Sequence, residues 1–433
     1  MPYNIIIGRN EKEQKELGMN GLIYLGKSYV KMGQTTSLSN YILLDIAKPH
    51  TILIAGKKGS GKSYSIGVMA EGMANLQEDI KKNLAILIFD TMGIFWSMKF
   101  PNERQTDLLK EWGLEPRGLD VKVYTPKGKF DEYKERGIPV DYSFSIKPGE
   151  LNALDWCNIF NVSITSNIGV LIERILTKLI GEYSIEDVIA EIKLDTNTDQ
   201  DTKNATENRF QAVKSWGLFD IEGSEIKDIV KSGEVSILDT SVYDDFNVKA
   251  LVASIISKKL LQERISIRKY EELEELETSR HYFSIEEDKK QELPLVWIFI
   301  DEGHEFLPKE GKTPATDALI QLIREGRQPG ISLVMATQQP GEIHRDVITQ
   351  SDIVISHRVT AKPDIEALNT INQTYLTQDI LTHLNNLPKD KGAAIILDDN
   401  NERIYPMRIR PKMSWHSGES LSAIKIKRKL IEL

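Results

Sequence analysis

From about residue 48 onward the chain alternates short runs of continuous apolar residues with longer stretches whose apolar positions recur at helical spacing. The mainly apolar runs at 51–55, 84–89, 294–300 and 331–336 read as buried strands of a parallel sheet, and 121–124 and 235–238 are further candidates. Between them, Ile66, Met69, Ala70 and Met73 predict one helix. A second is predicted by Ile168, Leu171, Ile172, Ile175, Leu176, Leu179 and Ile180, stopping at Gly181, and a third by Val248, Leu251, Val252, Ile255 and Ile256. Thr313-Pro314 reads as an N-cap and first-turn pair opening a fourth, with Ala318, Leu319, Leu322 and Ile323 inward. The polar stretch 194–205 reads as a loop before a short helix at 209–216. Residues 264–292, dense in both charge signs, read as a solvated helix or hairpin face.

Strands alternating with helices predict an α/β fold with a mainly parallel sheet. Residues 1–47 differ: strand-like runs at 4–8, 22–25 and 41–44, separated by Gly18, Gly21, Gly26 and Gly33, predict a small β-rich N-terminal module. The expected division is therefore that module (1–47), a first part of the core (48–140), a helical insertion (141–230), a second part of the core (231–410) and a C-terminal tail (411–433).

Composition narrows the classes. A chain of 433 residues that is 40% hydrophobic and 27% charged fits a soluble globular protein of two to three folding units. A single cysteine, Cys157, permits no internal disulfide and fits a reducing, cytoplasmic setting. No run approaches the roughly 18 apolar residues that a membrane helix needs. The N-terminus lacks the basic-then-apolar order of a signal peptide. Seven scattered histidines give no metal-ligand spacing. The net charge of −9 argues against a uniformly basic nucleic-acid face, but a ring needs positive charge only along its channel.

The most specific chemistry lies at Gly56-Lys57-Lys58-Gly59-Ser60-Gly61-Lys62-Ser63, a complete G-x-x-x-x-G-K-[ST] loop between a predicted strand and a predicted helix. Glycines let backbone N–H groups curl around phosphate oxygens. Lys62 supplies a point charge to the β- and γ-phosphates, and Ser63 a hydroxyl to Mg²⁺. Gly56, Gly59, Ser60, Gly61, Lys62, Ser63 and the following Tyr64 are thus the expected ATP-binding residues. The run ending at Asp301-Glu302 reads as a Walker B strand. Asp301 would join Ser63 on the Mg²⁺, and Glu302 would orient and deprotonate the attacking water. The next strand delivers Gln338 to the same edge, since ligands of α/β sheets sit at the carboxyl ends of strands. Arg327, just before that strand, suits a group reaching toward a neighbouring subunit's phosphate; a surface arginine paired with Glu325 or Asp317 fits equally well.

The phosphate loop, Phe299-Ile300-Asp301-Glu302, Arg324-Glu325-Gly326-Arg327-x-x-Gly330 and Ala336-Thr337-Gln338-Gln339-Pro340 together resemble the HerA branch of the FtsK/HerA ATPases. Phe89-Asp90-Thr91-Met92-Gly93 and Leu238-Asp239-Thr240-Ser241 agree with that branch. The resemblance covers roughly residues 48–410. It implies a RecA-like P-loop NTPase core assembled as a homo-hexameric ring, translocating double-stranded DNA with ATP bound between subunits, and partnership with a nuclease. It also implies an N-terminal barrel, for which residues 1–47 are short, and a tail from Ile409-Arg410-Pro411 onward bracing a neighbour. A regulatory ATPase scaffold controlling an effector enzyme in an antiviral defence complex is the alternative. Asp301-Glu302-Gly303-His304 mimics a DExH box, but a downstream Q-x-x-G-R-x-G-R motif is missing, so His304 reads as a structural or supporting residue. A small-molecule kinase would need neither the second carboxylate nor the sensor glutamine. The basic runs Arg403, Arg408, Arg410, Lys412 and Lys425, Lys427, Arg428, Lys429 read as solvated termini rather than DNA contacts.

Overall fold

A single sheet of thirteen strands organises the described residues of this computed structural model, which are 3–32, 35–280, 293–371 and 380–418. In chain order the strands are β1 (Asn4–Ile7), β2 (Leu22–Met32), β3 (Thr35–Asp45), β4 (Thr51–Ala55), β5 (Leu84–Asp90), β6 (Val121–Pro126) and β7 (Tyr142–Phe144). They continue with β8 (Val235–Asp239), β9 (Leu295–Ile300), β10 (Ile331–Thr337), β11 (Ile353–His357), β12 (Ala393–Asp398) and β13 (Arg403–Ile409). Their order across the sheet is β1-β3-β2-β13-β12-β11-β4-β10-β9-β5-β8-β6-β7. Every neighbouring pair from β11 through β7 is parallel.

Both faces of the parallel block are covered, which is why its strands read as unbroken apolar runs: every residue of β4, β5 and β10 is buried. Successive side chains go to opposite sides. Leu53, Leu87, Ile298, Ile300 and Met335 join one core with Phe210 and Ile255 from the helical side. Ile52, Ile54, Trp297, Phe299 and Val334 join the other with Ile66, Val68, Met69 and Met73 of the helix Lys62–Ala74. Each such side chain contributes about 1.5–3 kcal/mol on full burial.

Several local outcomes differ from the sequence pattern. The stretch expected as a loop at 194–205 is helical from Gln200, in a helix Gln200–Ser215 whose N-cap, Asp199, accepts from the Thr202 N–H at 2.9 Å. Its buried face is only Thr206, Phe210 and Val213, too sparse an apolar stripe to show as periodicity. The helix predicted around 248–256 runs Phe246–Arg280; its second half is the charged stretch, and 281–292 lie outside the described residues. The helix expected to open at Thr313 starts later, at Thr316–Glu325 with Ala315 as its N-cap, and the Thr313 hydroxyl donates to the Phe306 carbonyl at 2.6 Å while accepting from the Ala315 N–H at 3.2 Å. The N-terminal strands are hydrogen-bonded into the common sheet, since β13 pairs antiparallel with β2.

The segment following β13 departs most from expectation. Instead of leaving the subunit, residues 410–418 lie along the chain's own helix Lys62–Ala74, organised by Glu71. Its carboxylate accepts from Arg410 Nη1 at 2.9 Å, the Met413 N–H at 3.1 Å, the Ser414 N–H at 2.7 Å and the Ser414 hydroxyl at 2.6 Å. The first basic run is therefore split: Arg403 is exposed, while Arg410 and Lys412 are fully buried. Burial draws the Lys412 amine down to about 8. The second basic run, with the rest of 419–433, lies outside the described residues. Removing one partner of a buried ion pair strands the other charge, at a cost of about 3–5 kcal/mol. Glu71→Ala is therefore expected to lower the unfolding free energy by that amount, with Glu71→Gln less harmful; equal denaturant midpoints for Glu71→Ala and wild type would refute the anchoring role.

Candidate nucleotide site

The phosphate loop leaves the carboxyl end of β4 and turns into the helix Lys62–Ala74. Gly56 has no room for a side chain: a Cβ there would lie 2.4 Å from Ser60 Oγ and 2.7 Å from His357 Cβ. Gly61, at the helix N-cap, has φ +114°, a conformation natural only to glycine. The free N–H groups of this helix start and its dipole make an anion site. Lys62 is buried to 6% exposure, and Ser60 Oγ is buried with no hydrogen-bond partner. Tyr64 points elsewhere. Its hydroxyl donates to Gln105 Oε1 at 3.1 Å and accepts from the Lys412 N–H, and its ring meets His416 edge-on at 5.3 Å.

The sheet order completes the site. Strand β10 lies between β4 and β9, with Thr337 paired to Ala55 and Met335 to Ile300. Residues separated by more than 200 positions thereby meet: the Ser63 hydroxyl hydrogen-bonds to Asp301 Oδ2. Half-buried Gln338 leaves β10 between the phosphate loop and the Walker B carboxylates. Glu302 adopts φ +53°, ψ +45°, an uncommon backbone for a residue with a Cβ. Burial, and then the Asp301 charge, push its carboxyl up to about 7, with Lys62 partly opposing. Its Oε2 is buried without a hydrogen-bond partner, 3.6 Å from His304 Nδ1. His304 Nδ1 also lies 3.2 Å from Thr337 Oγ1, so this residue supports the end of β10.

Arg327 is not in this cluster. Its guanidinium lies 3.5 Å from Asp352 Oδ2, and Asp352 accepts from the N–H of Thr51, the first residue of β4. That is the opposite end of the strand from the phosphate loop, roughly 16 Å away at about 3.3 Å per strand residue. Neither expected surface partner holds it, and Arg324 pairs with Asp346 at 2.6 Å.

Sequence reading missed His357. It lies behind the loop, its Nε2 2.9 Å from Ser65 Oγ and its Nδ1 3.2 Å from the Ala393 carbonyl. Burial holds its pKa down to about 4, so it stays neutral beside Lys62. Nothing in Ile353-Val354-Ile355-Ser356-His357 marks it, since only the β11–β4 pairing brings it there. Asp90 and Asp239, at the ends of neighbouring β5 and β8, serve their own turns. Asp90 accepts from the Phe95 and Met92 N–H groups at 2.8 and 3.2 Å, and Asp239 from the Ser241 N–H at 2.9 Å.

These residues fit a magnesium nucleotide. The Ser63–Asp301 pair offers two hard oxygens for a cation, and Ser60 Oγ and Glu302 Oε2 are polar atoms with unfilled hydrogen-bonding capacity. The raised Glu302 pKa has a sign that can be checked. The unfolded carboxyl ionises near 4.5 and the folded one near 7, so stability is lost as pH rises through that window. Glu302→Gln carries no such penalty. Its thermal midpoint is expected to exceed that of wild type at pH 8 and to converge on it near pH 4.5; a lower midpoint at pH 8 would contradict the burial argument.

The comparisons agree with this geometry. The family described as "Helicase HerA, central domain" matches residues 30–260, more than half of the chain. A DNA double-strand break repair helicase HerA from Saccharolobus solfataricus is 21% identical over 397 residues, covering 89% of this chain and 69% of that protein. Its Sulfolobus acidocaldarius counterpart is also 21% identical, over 82% of this chain and 63% of its own length. Among solved structures, VirB4 of Thermoanaerobacter pseudethanolicus superposes with a TM-score of 0.55 at 12% identity, covering 90% of this chain and 96% of that one, and so shares the fold. With its phosphate loop, Walker B strand and mostly parallel sheet, the chain belongs to the HerA helicase family of P-loop ATPases.

Proposed function

We propose that this ATP-hydrolysing enzyme works as a homo-hexameric ring that binds and translocates double-stranded DNA, in company with a nuclease. The observation that carries the reading is the convergence of Lys62, Ser63, Asp301, Glu302 and Gln338 on one sheet edge while Arg327 stands at the other. In this reading Ser63 and Asp301 hold Mg²⁺, which neutralises phosphate charge. Lys62 contacts the β- and γ-phosphates. Glu302 accepts the proton of the attacking water, and Gln338 senses the γ-phosphate. Arg327, too far from its own loop, completes the site of the adjacent subunit. The relatives' names speak of DNA double-strand break repair and lend the defence-scaffold reading no support. No described helix is long and apolar enough to cross a membrane.

Lys62→Ala is expected to abolish ATP binding by calorimetry. Glu302→Gln should bind ATP yet lose about 10²–10⁴-fold in turnover, the usual contribution of one general base. Hydrolysis should be stimulated by duplex DNA, with binding that weakens steeply as salt rises. A well-formed ring indifferent to DNA at low salt would overturn the motor reading.

The inter-subunit element has its own test. Arg327→Ala should bind ATP but fall about 10³–10⁵-fold in rate, by analogy with trans-acting arginines of GTPases. Mixing it with Lys62→Ala should restore activity, because an intact loop then meets an intact arginine. Mixed rings without recovery at any ratio would remove Arg327 from that role.

A further inference from the structure

The turn that carries Arg327 is gripped from behind. Arg264, fully buried on the helix Phe246–Arg280, donates from Nε to the Pro329 carbonyl and from Nη1 to the Leu293 carbonyl, each at 2.7 Å. Gly330 closes the turn at φ +88°, and a Cβ there would lie 2.3 Å from Leu295 Cδ2. The backbone position of Arg327 is therefore fixed.

In front, the guanidinium meets a row of charges of alternating sign. Asp352 Oδ2 lies 3.5 Å from Arg327 Nη2 and 2.7 Å from His50 Nδ1. The other nitrogen of His50 lies 3.5 Å from Asp45 Oδ2, and Asp45 Oδ1 accepts from Arg9 Nε at 3.0 Å and Nη2 at 2.7 Å. Asp352, His50, Asp45 and Arg9 are all buried, whereas the Arg327 side chain is 51% exposed. Burial alone would discharge His50, but its bonds to Asp352 and Asp45 outweigh that and raise it to about 9. Two carboxylates, one against each ring nitrogen, favour the doubly protonated ring at neutral pH.

The row is tight at His50–Asp352 and Asp45–Arg9, and of its two 3.5 Å contacts only the one to Arg327 lies at an exposed end. His50 holds the same Asp352 oxygen at a much shorter distance, so Arg327 is aimed by the carboxylate without being locked to it. A half-exposed ion pair is worth only about 0–1 kcal/mol, a small barrier to release.

We propose that Asp352 and His50 are positioning residues for Arg327, Asp352 directing its guanidinium and His50 fixing Asp352. This rests on the reading that Arg327 serves the neighbouring subunit. Asp352 also touches β4, so a substitution in an otherwise intact subunit would mix effects on the donor and the acceptor side. Placing it in a subunit whose own loop is already dead separates the two.

The experiment compares recovered ATPase activity when Arg327→Ala protein is mixed with Lys62→Ala protein and, separately, with the double variant Lys62→Ala/Asp352→Asn. The first mixture should recover activity. The second should recover at least about 10-fold less, since misplacing a catalytic group by about 1 Å can cost 10²-fold. Equal recovery overturns the proposal alone; no recovery in the first mixture overturns the inter-subunit reading and the proposal with it. Thermal unfolding and ring assembly of the double variant are checked first, and Lys62→Ala/His50→Gln replaces it if it does not assemble. A second readout needs no nucleotide. In protein labelled with ¹⁵N-histidine, His50 should remain doubly protonated at pH 8 in wild type and in Arg327→Ala, and lose the proton in Asp352→Asn. A neutral His50 in wild type at pH 7 would break the row and overturn the proposal.

Discussion

The parallel pairing of β4, β10 and β9 is the constraint on which the site depends. Because all three strands run the same way, with Leu333–Thr337 paired to Thr51–Ala55 and Ile331–Met335 to Val296–Ile300, their carboxyl ends open on one edge. The phosphate loop, the Thr337–Gln338 exit and the Asp301–Glu302 pair are the three consecutive exits. A slip of one residue would turn every side chain to the other face and part Ser63 from Asp301. The register is held by burial on both faces, since such a slip would exchange the two cores.

Charge placement follows from that geometry. At the carboxyl edge burial and the Asp301 charge oppose the ionisation of Glu302, with buried Lys62 as the nearby cation. The balance raises the Glu302 carboxyl to about 7, which suits a general base. The helix Lys62–Ala74 is tied down at its far end by Glu71 and the segment 410–418. The loop therefore works from a rigid lever whose anchor lies near the end of the described chain. At the amino edge, the Arg9–Asp45–His50–Asp352 row joins the N-terminal strands to the arginine-bearing turn. The phosphate loop and Arg327 thus stand at opposite ends of the same parallel strands.

The α/β class, six of the eight strands of the parallel block, several of its helices, and the phosphate-loop and Walker B motifs were legible in the sequence alone. These are local: strand burial shows as continuous apolar runs, and the loop's chemistry is written in consecutive residues. A sparse stripe hid the first half of the helix Gln200–Ser215, where Thr206 is the one buried position before Phe210. Tertiary structure alone decided the rest. His357 reaches the loop through a strand pairing that no motif encodes. Arg410 and Lys412, charged and near the C-terminus, look solvated until Glu71, more than 330 residues away, supplies Arg410 with a buried partner and the Trp415 carbonyl accepts from the Lys412 amine. Arg327 finds Asp352 rather than its neighbours Glu325 and Asp317, because the turn ending at Gly330 turns the side chain toward the amino edge of the sheet. In each case the deciding interaction joins groups far apart in the chain, and only the packed sheet brings them together.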